Sequence, residues 1–313
     1  MKTLLPLLLS LTLSGCTQPS RGQSAPPNAT PSAAPADASP IAFDSTRAFS
    51  DLKKQVAFGP RVPNSPGHVA CRDWILAELK AALGKSARQD FSLTLDGKKL
   101  AMSNIVGQLN PSAKKQVMLC AHWDTRPSAD QEIDDARRRQ PIAGANDGAS
   151  GVAVLLELAR QLAKNPPKNV GVQFVFFDGE DYGPGIERMF LGASHYAKRP
   201  ALPKPDYAVL IDMIGDKDLQ IPREPNSERM APEVLDKIFG AAKSLGVKEF
   251  VNVPGPEIMD DHLPLQAVGW KAVDLIDFDY APWHTLDDTP VQCSPASLKA
   301  VGDVLARVLH DEK

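Results

Sequence analysis

Short apolar runs of strand length alternate along this chain with stretches of helical periodicity, and that alternation leaves few folds open. Residues 116–120, 172–177, 207–211 and 272–276 are rich in Val, Phe, Leu and Ile, the near-continuous apolarity of strands covered on both faces. Between the first two runs, Val152, Leu155, Leu156, Ala159 and Leu162 recur at helical spacing over 151–162. Residues 68–83, 231–245 and 295–309 read as further helices. The pattern predicts an α/β chain, a single domain with an open, mostly parallel, twisted central sheet and helices on both faces. In such sheets ligands gather beyond the carboxyl ends of the strands. His122 and Asp124 follow the first run, Glu180 and Asp181 the second and Asp212 the third, while His284 follows the fourth after a loop.

Six segments therefore converge on one edge: Ala121-His122-Trp123-Asp124, Gly144-Ala145-Asn146-Asp147-Gly148, Asp178-Gly179-Glu180-Asp181, Ile211-Asp212-Met213-Ile214-Gly215, Asp260-Asp261-His262 and Trp283-His284-Thr285. In an extended stretch His122 and Asp124 point to the same face, which suits a ligand with its carboxylate or a pair that orients one imidazole. Asp147 stands between glycines at the entrance to the 151–162 helix, either as a helix cap or as a ligand. Adjacent carboxylates at a strand end, Glu180-Asp181, repel each other unless a cation absorbs the charge or one is protonated. A metal ion with a neighbouring general acid/base resolves both difficulties. Asp212 closes an apolar run where a lone buried carboxylate is expensive. The expectation is a zinc enzyme.

The amino-terminal residues are of a different kind. Met1-Lys2, the apolar run 4–13 and Leu13-Ser14-Gly15-Cys16 read as a bacterial lipoprotein signal, with the Cys16 thiol taking the lipid. Several acyl chains anchor durably, each buried CH₂ contributing roughly 0.8 kcal/mol. With Thr17 next, placement in the cell envelope, lipid-anchored at the outer membrane, is expected. Residues 17–41, made mostly of Pro, Ala, Ser, Gln and Asn, read as a disordered tether, and 42–313 as one catalytic domain. A net charge of −3 without a basic cluster gives no reason to expect nucleic acid. The mixed-sign run 134–139 reads as a solvated loop or helix face, and 125–141 as a charged loop beside the pocket. Cys71, Cys120 and Cys293 form no C-x-x-C pair, so a thiolate metal site is not expected, and one disulfide or three thiols remain open.

The order of these segments resembles the zinc aminopeptidase and glutaminyl cyclase superfamily over essentially all of 42–313. The resemblance implies two alternatives. In the aminopeptidase pattern His122, Asp147, Asp181, Asp212 and His284 bind two zinc ions, with Glu180 as general base and water as nucleophile. In the cyclase pattern one zinc is held by Asp147, Asp181 and His284, Glu180 shuttles protons, and Asp212 and Asp260 form an acidic network over the substrate. His122, Asp124 and Asp212 are then either ligands of a second ion or braces of the first. Asp260-Asp261-His262-Leu263-Pro264 and Trp283-His284-Thr285 resemble the cyclase phrases, as does Phe190-Leu191-Gly192-Ala193-Ser194. They imply glutaminyl-peptide cyclotransferase activity on the N-terminal residues of peptides, with Trp283, Asp261 and His262 at the substrate. Asp181 stands where the animal enzymes have Glu, and Tyr182 or Phe190 is left to replace a tryptophan that follows it there. A non-catalytic zinc-binding lipoprotein is the third reading.

Overall fold

The structure is a computed structural model that describes residues 39–313. The elements run in order α1 (Ser45–Ala57), α2 (Pro66–Leu83), β1 (Ser86–Leu95), β2 (Lys98–Leu109), β3 (Lys115–His122), α3 (Asp135–Arg138), α4 (Ala149–Lys164), β4 (Val170–Phe177) and α5 (Leu191–Lys198). They continue as β5 (Tyr207–Asp212), β6 (Ile221–Arg223), α6 (Pro225–Met230), α7 (Pro232–Leu245), β7 (Phe250–Pro254), α8 (His262–Ala267), β8 (Ala272–Ile276) and α9 (Pro295–Asp311). The four expected strands and four expected helices are all present, within a few residues at each end.

The main sheet has the order β1-β2-β4-β3-β5-β8. β4, β3, β5 and β8 are parallel, whereas β1 with β2 and β2 with β4 are antiparallel. Side chains alternate across a strand, so each apolar run serves two cores. Val117, Leu119 and Ala121 of β3 and Val209 and Ile211 of β5 pack into the larger core against α1, α2, α4, α7 and α9. Met118 and Cys120 of β3 and Ala208 and Leu210 of β5 pack on the other face, near α5 and α8. This double burial explains why the runs show no polar alternation. The hairpin β1–β2 escapes the same reading because β1 is mostly exposed and polar, and its pairing partner rather than its pattern makes it a strand.

Helix α4 sits closest to the chemistry. Gly148 caps it at φ +95°, and a Cβ there would come within 2.8 Å of the Asp124 carbonyl oxygen. Gly151 lets its first turn approach β5, where a Cβ would lie 2.6 Å from the Ile211 carbonyl. Both contacts are closer than side chains tolerate, so glycine is required for the helix to start beside the strand ends.

The expected boundary at residue 41 needs correction. Ile41 is buried in the larger core, and Asn165 donates to the Pro40 carbonyl at 2.8 Å. The folded part thus begins before residue 42, because Ile41 and Phe43 supply apolar surface that α9 lacks, the Phe43 ring lying where a side chain at Gly302 would be. The expected lipidation site Cys16 and residues 17–38 of the expected tether lie outside the described residues. Cys71, Cys120 and Cys293 are free, buried thiols, so no disulfide joins them.

Candidate metal centre and catalytic pocket

The parallel register carries the carboxyl ends of β3, β4, β5 and β8 to one edge. His122 is the last residue of β3 and Asp212 the last of β5, while Glu180 and Asp181 follow β4. Met213 and His284 hold left-handed backbone at φ 49° and 52°. Each such non-glycine residue costs roughly 1–3 kcal/mol, which surrounding structure must impose. Arg61 braces another part of the site. Its wholly buried guanidinium donates to the carbonyls of Trp123, Ala143 and Gly144 at 2.7–2.9 Å, locking the exit of β3 to the loop that bears Asp147.

Asp147 does not cap α4; Gly148 does, without a side-chain bond. Asp147 instead turns one oxygen toward each histidine, with Oδ1 3.1 Å from His122 Nε2 and Oδ2 3.5 Å from His284 Nε2. Its backbone is fixed by Asp288, which accepts from the amides of Asn146 and Asp147 at 2.8 and 3.2 Å and from the Tyr280 hydroxyl at 2.8 Å. Two donor groups share it: Asp147, Asp181 and His284, and His122, Asp147 and Asp212, each with ligand atoms within 4.8 Å of one another. In the first, His284 Nε2 is 3.2 Å from Asp181 Oδ1. In the second, His122 Nε2 is 3.1 Å from Asp212 Oδ1.

Imidazole nitrogen with carboxylate oxygen is a zinc donor set. Three further observations fit an ion. Asp181 Oδ2 is buried with no partner, while Oδ1 accepts from Arg126 at 2.6 Å. His284 Nδ1 donates to Asp130 at 3.1 Å, which turns Nε2 toward the carboxylates of Asp147 and Asp181. Against the effect of burial, Asp212, Asp124 and Asp147 hold His122 well above its ordinary value, and Asp181, Asp130 and Asp147 raise His284 to about 9. The cluster of acids takes up positive charge wherever it can, which a dication supplies directly.

Glu180 belongs to neither group. Its side chain is 8 % exposed and lies 3.7 Å from His122 Nδ1. Burial first, then the charges of Asp181, Asp260 and Asp261, push its carboxyl well above the usual range, His122 opposing. Asp260 is raised in the same way by burial and by Asp212 and Asp261, and its Oδ2 has no partner. Both line a cavity of about 40 Å³ with Asp147, Asp181, Asp212 and His284. The wall is apolar, formed by Met189, Met213, Ile258 and Trp283, whose indole stacks on His284 at 3.8 Å.

Other expected residues fall elsewhere. Asp124 is in neither donor group; its carboxylate accepts from the amides of Glu180 and Asp181 at 3.0 and 3.2 Å and lies 3.6 Å from His122 Nδ1. It braces the acid pair and the histidine together. Asp261 and His262, expected at the substrate, are fully buried and line no part of the cavity. A turn into α8 at Asp261 carries them beneath Asp260, where His262 lies 3.5 Å from Glu224 and 3.7 Å from Asp274. Neither Tyr182 nor Phe190 faces the cavity; Met189 occupies that wall, because Tyr182 packs outward on Leu100, Met102 and Leu191.

Arg126, Asp130 and Asp288 escaped sequence reading. The first two lie in the charged loop 125–141, where only their position next to His122-Trp123-Asp124 hints at the site. The run 134–139 is indeed a solvated face, α3 having no buried residue. Replacing Asp130 by Ala is expected to lower zinc affinity about 10–100-fold by freeing the His284 ring. Competition with a fluorescent chelator measures it, and unchanged affinity would deny Asp130 its orienting part.

Comparison with known proteins agrees with this geometry. Residues 104–309 match the model of peptidase family M28. Glutaminyl-peptide cyclotransferase of Bos taurus is 28% identical, the match covering 78% of this chain and 76% of the bovine protein. Among solved structures, the glutaminyl cyclase of Bacteroides thetaiotaomicron is 37% identical with a TM-score of 0.83, over 87% of this chain and 99% of that one. A leucine aminopeptidase precursor of Bacteroides thetaiotaomicron is 38% identical with a TM-score of 0.84, over 87% of this chain and 98% of that one.

Proposed function

The chain belongs to peptidase family M28, and from that premise we infer that it is a glutaminyl-peptide cyclotransferase, converting N-terminal glutamine of peptides to pyroglutamate with release of ammonia. The observation that carries this reading is Asp260. It brings a further buried carboxyl, its Oδ2 without a partner, into a cavity that already contains Glu180 and Asp212.

Asp147, Asp181 and His284 would hold one zinc ion, which when bound polarises the side-chain amide carbonyl of the substrate. The substrate's own α-amine attacks that carbonyl carbon, so a new C–N bond forms within one residue and the bond to the amide nitrogen breaks. Glu180 removes a proton from the attacking amine and returns it to the departing nitrogen, which leaves as ammonia. Asp212 and Asp260 accept hydrogen bonds from the amine and set its direction, and Trp283 supplies a flat wall for the closing ring. Asp124, Asp130 and Arg126 touch no substrate; they hold Glu180, His284 and Asp181 in place. Because the nucleophile is intramolecular, no water needs activating.

The second donor group, His122, Asp147 and Asp212, supports the alternative of a two-zinc aminopeptidase. One assay separates the two. Given a Gln-headed and a Leu-headed peptide, the protein is expected to release ammonia from the first and no free leucine from the second, read by mass spectrometry. Free leucine without pyroglutamate would reassign it as a hydrolase. The lipoprotein-like start and Cys16 support attachment to the outer membrane of a bacterial cell envelope, with membrane contact through the lipid alone.

A further inference from the structure

The reaction cavity, at about 40 Å³, has no room for several residues of a peptide, so the residues after the first must lie outside it. A cleft of about 450 Å³ adjoins it, and Ile258, Ile276 and Phe278 belong to the walls of both. Its volume lies within the roughly 300–1,000 Å³ of ordinary ligand sites. The floor is one face of the two-stranded sheet β6–β7. Gln220, Pro222, Val251 and Val253 face the cleft, while Arg223, Phe250 and Asn252 line the opposite side. The other wall is the chain leaving β8, Asp277-Phe278-Asp279.

Two features set this cleft apart from plain surface. Apolar side chains stay exposed along its rim and at the pocket mouth, with Val253 55%, Phe278 38% and Met259 63% accessible. Its charge is of one sign: Asp218 and Asp279 are exposed and take no cationic partner, and the buried Asp277 and Glu224 stand behind them. Arg223, on β6 itself, lines the other face and is held by Glu228 and Asp236. No Lys, Arg or His lines the cleft.

We propose that this cleft receives the residues following the N-terminal glutamine, laid against the β6–β7 face, and selects a lysine or arginine at the second to fourth position through Asp218 and Asp279. The proposal rests on the cyclotransferase reading. Apolar contact with Val253, Phe278 and Pro222 holds the segment, and the two exposed carboxylates choose its charge.

The test uses Gln-headed hexapeptides carrying Lys, Ala or Glu at positions two to four. The unmodified enzyme is expected to show kcat/KM about tenfold higher for the Lys than for the Glu series at low salt, chiefly through KM, and a smaller ratio at 0.5 M salt. Asp218→Asn with Asp279→Asn should bring the ratio near one and leave turnover of glutaminyl-alanine amide unchanged. Equal kcat/KM across the series, or a ratio that survives both substitutions, overturns the cleft assignment. Calorimetry with the same peptides already headed by pyroglutamate reads the cleft without the reaction. Ranked affinities with no pyroglutamate formed from any substrate would sink the cyclotransferase reading alone, and equal affinities would sink the cleft alone.

Discussion

Glu180→Gln is expected to lower turnover of a Gln-headed peptide by about 10²–10⁴-fold while the protein keeps its zinc and its fold. The size of the effect follows from what Glu180 does not do. It lies in neither donor group, and no hydrogen bond holds its side chain, so an amide of the same shape should disturb neither metal nor backbone. What disappears is a carboxyl that burial and like charge have poised to hold a proton and release it. Steady-state kinetics with metal analysis by mass spectrometry checks the result. Turnover near that of the unmodified enzyme would overturn the proton-shuttle role, and loss of zinc would show that Glu180 is a ligand instead.

The second large effect concerns the shared carboxylate. Asp147→Ala should reduce zinc affinity by more than about 100-fold and abolish activity, since the loss of a direct ligand exceeds the 10–100-fold typical of its orienting partners. Asp147 faces both histidines, so this outcome holds whether the site takes one ion or two. Asp212→Ala then distinguishes the cases. With one zinc at Asp147, Asp181 and His284, the Asp212 variant should keep about one ion per chain, as the unmodified protein does, and lose activity through the misplaced amine. A fall from two ions to one, or a sharp loss of occupancy, would favour the aminopeptidase-like arrangement in which His122 and Asp212 hold metal.

His122 shows how geometry permits both. Its Nε2 is equidistant, at 3.1 Å, from an oxygen of Asp147 and one of Asp212, and its other nitrogen faces Asp124 and Glu180. With no second ion, such a histidine is held positively charged by its carboxylates and serves as the counter-charge for Asp212. With one, it is a ligand.

Much of this was legible in the order of residues. Strands buried on both faces announce themselves by unbroken apolarity, and α4 by its 3.6-residue stripe, because those signals arise within a dozen residues of chain. Candidate ligands were legible for the same reason: a polar residue stopping an apolar run needs a partner whatever the partner is. Partners themselves were not. Asp130 reaches His284 across 154 positions and Arg126 reaches Asp181 across 55, and nothing local marks either. Asp261 and His262 are expected at the substrate because Asp260-Asp261-His262-Leu263-Pro264 resembles a cyclase phrase, yet the start of α8 turns them into the interior. The sequence by itself determined the α/β layering, the edge at which the polar ends meet and the residue types that suit zinc. Only the tertiary structure decided which carboxylates face the cavity, which brace others and where a substrate can leave, because those depend on long-range contacts that no local spacing encodes.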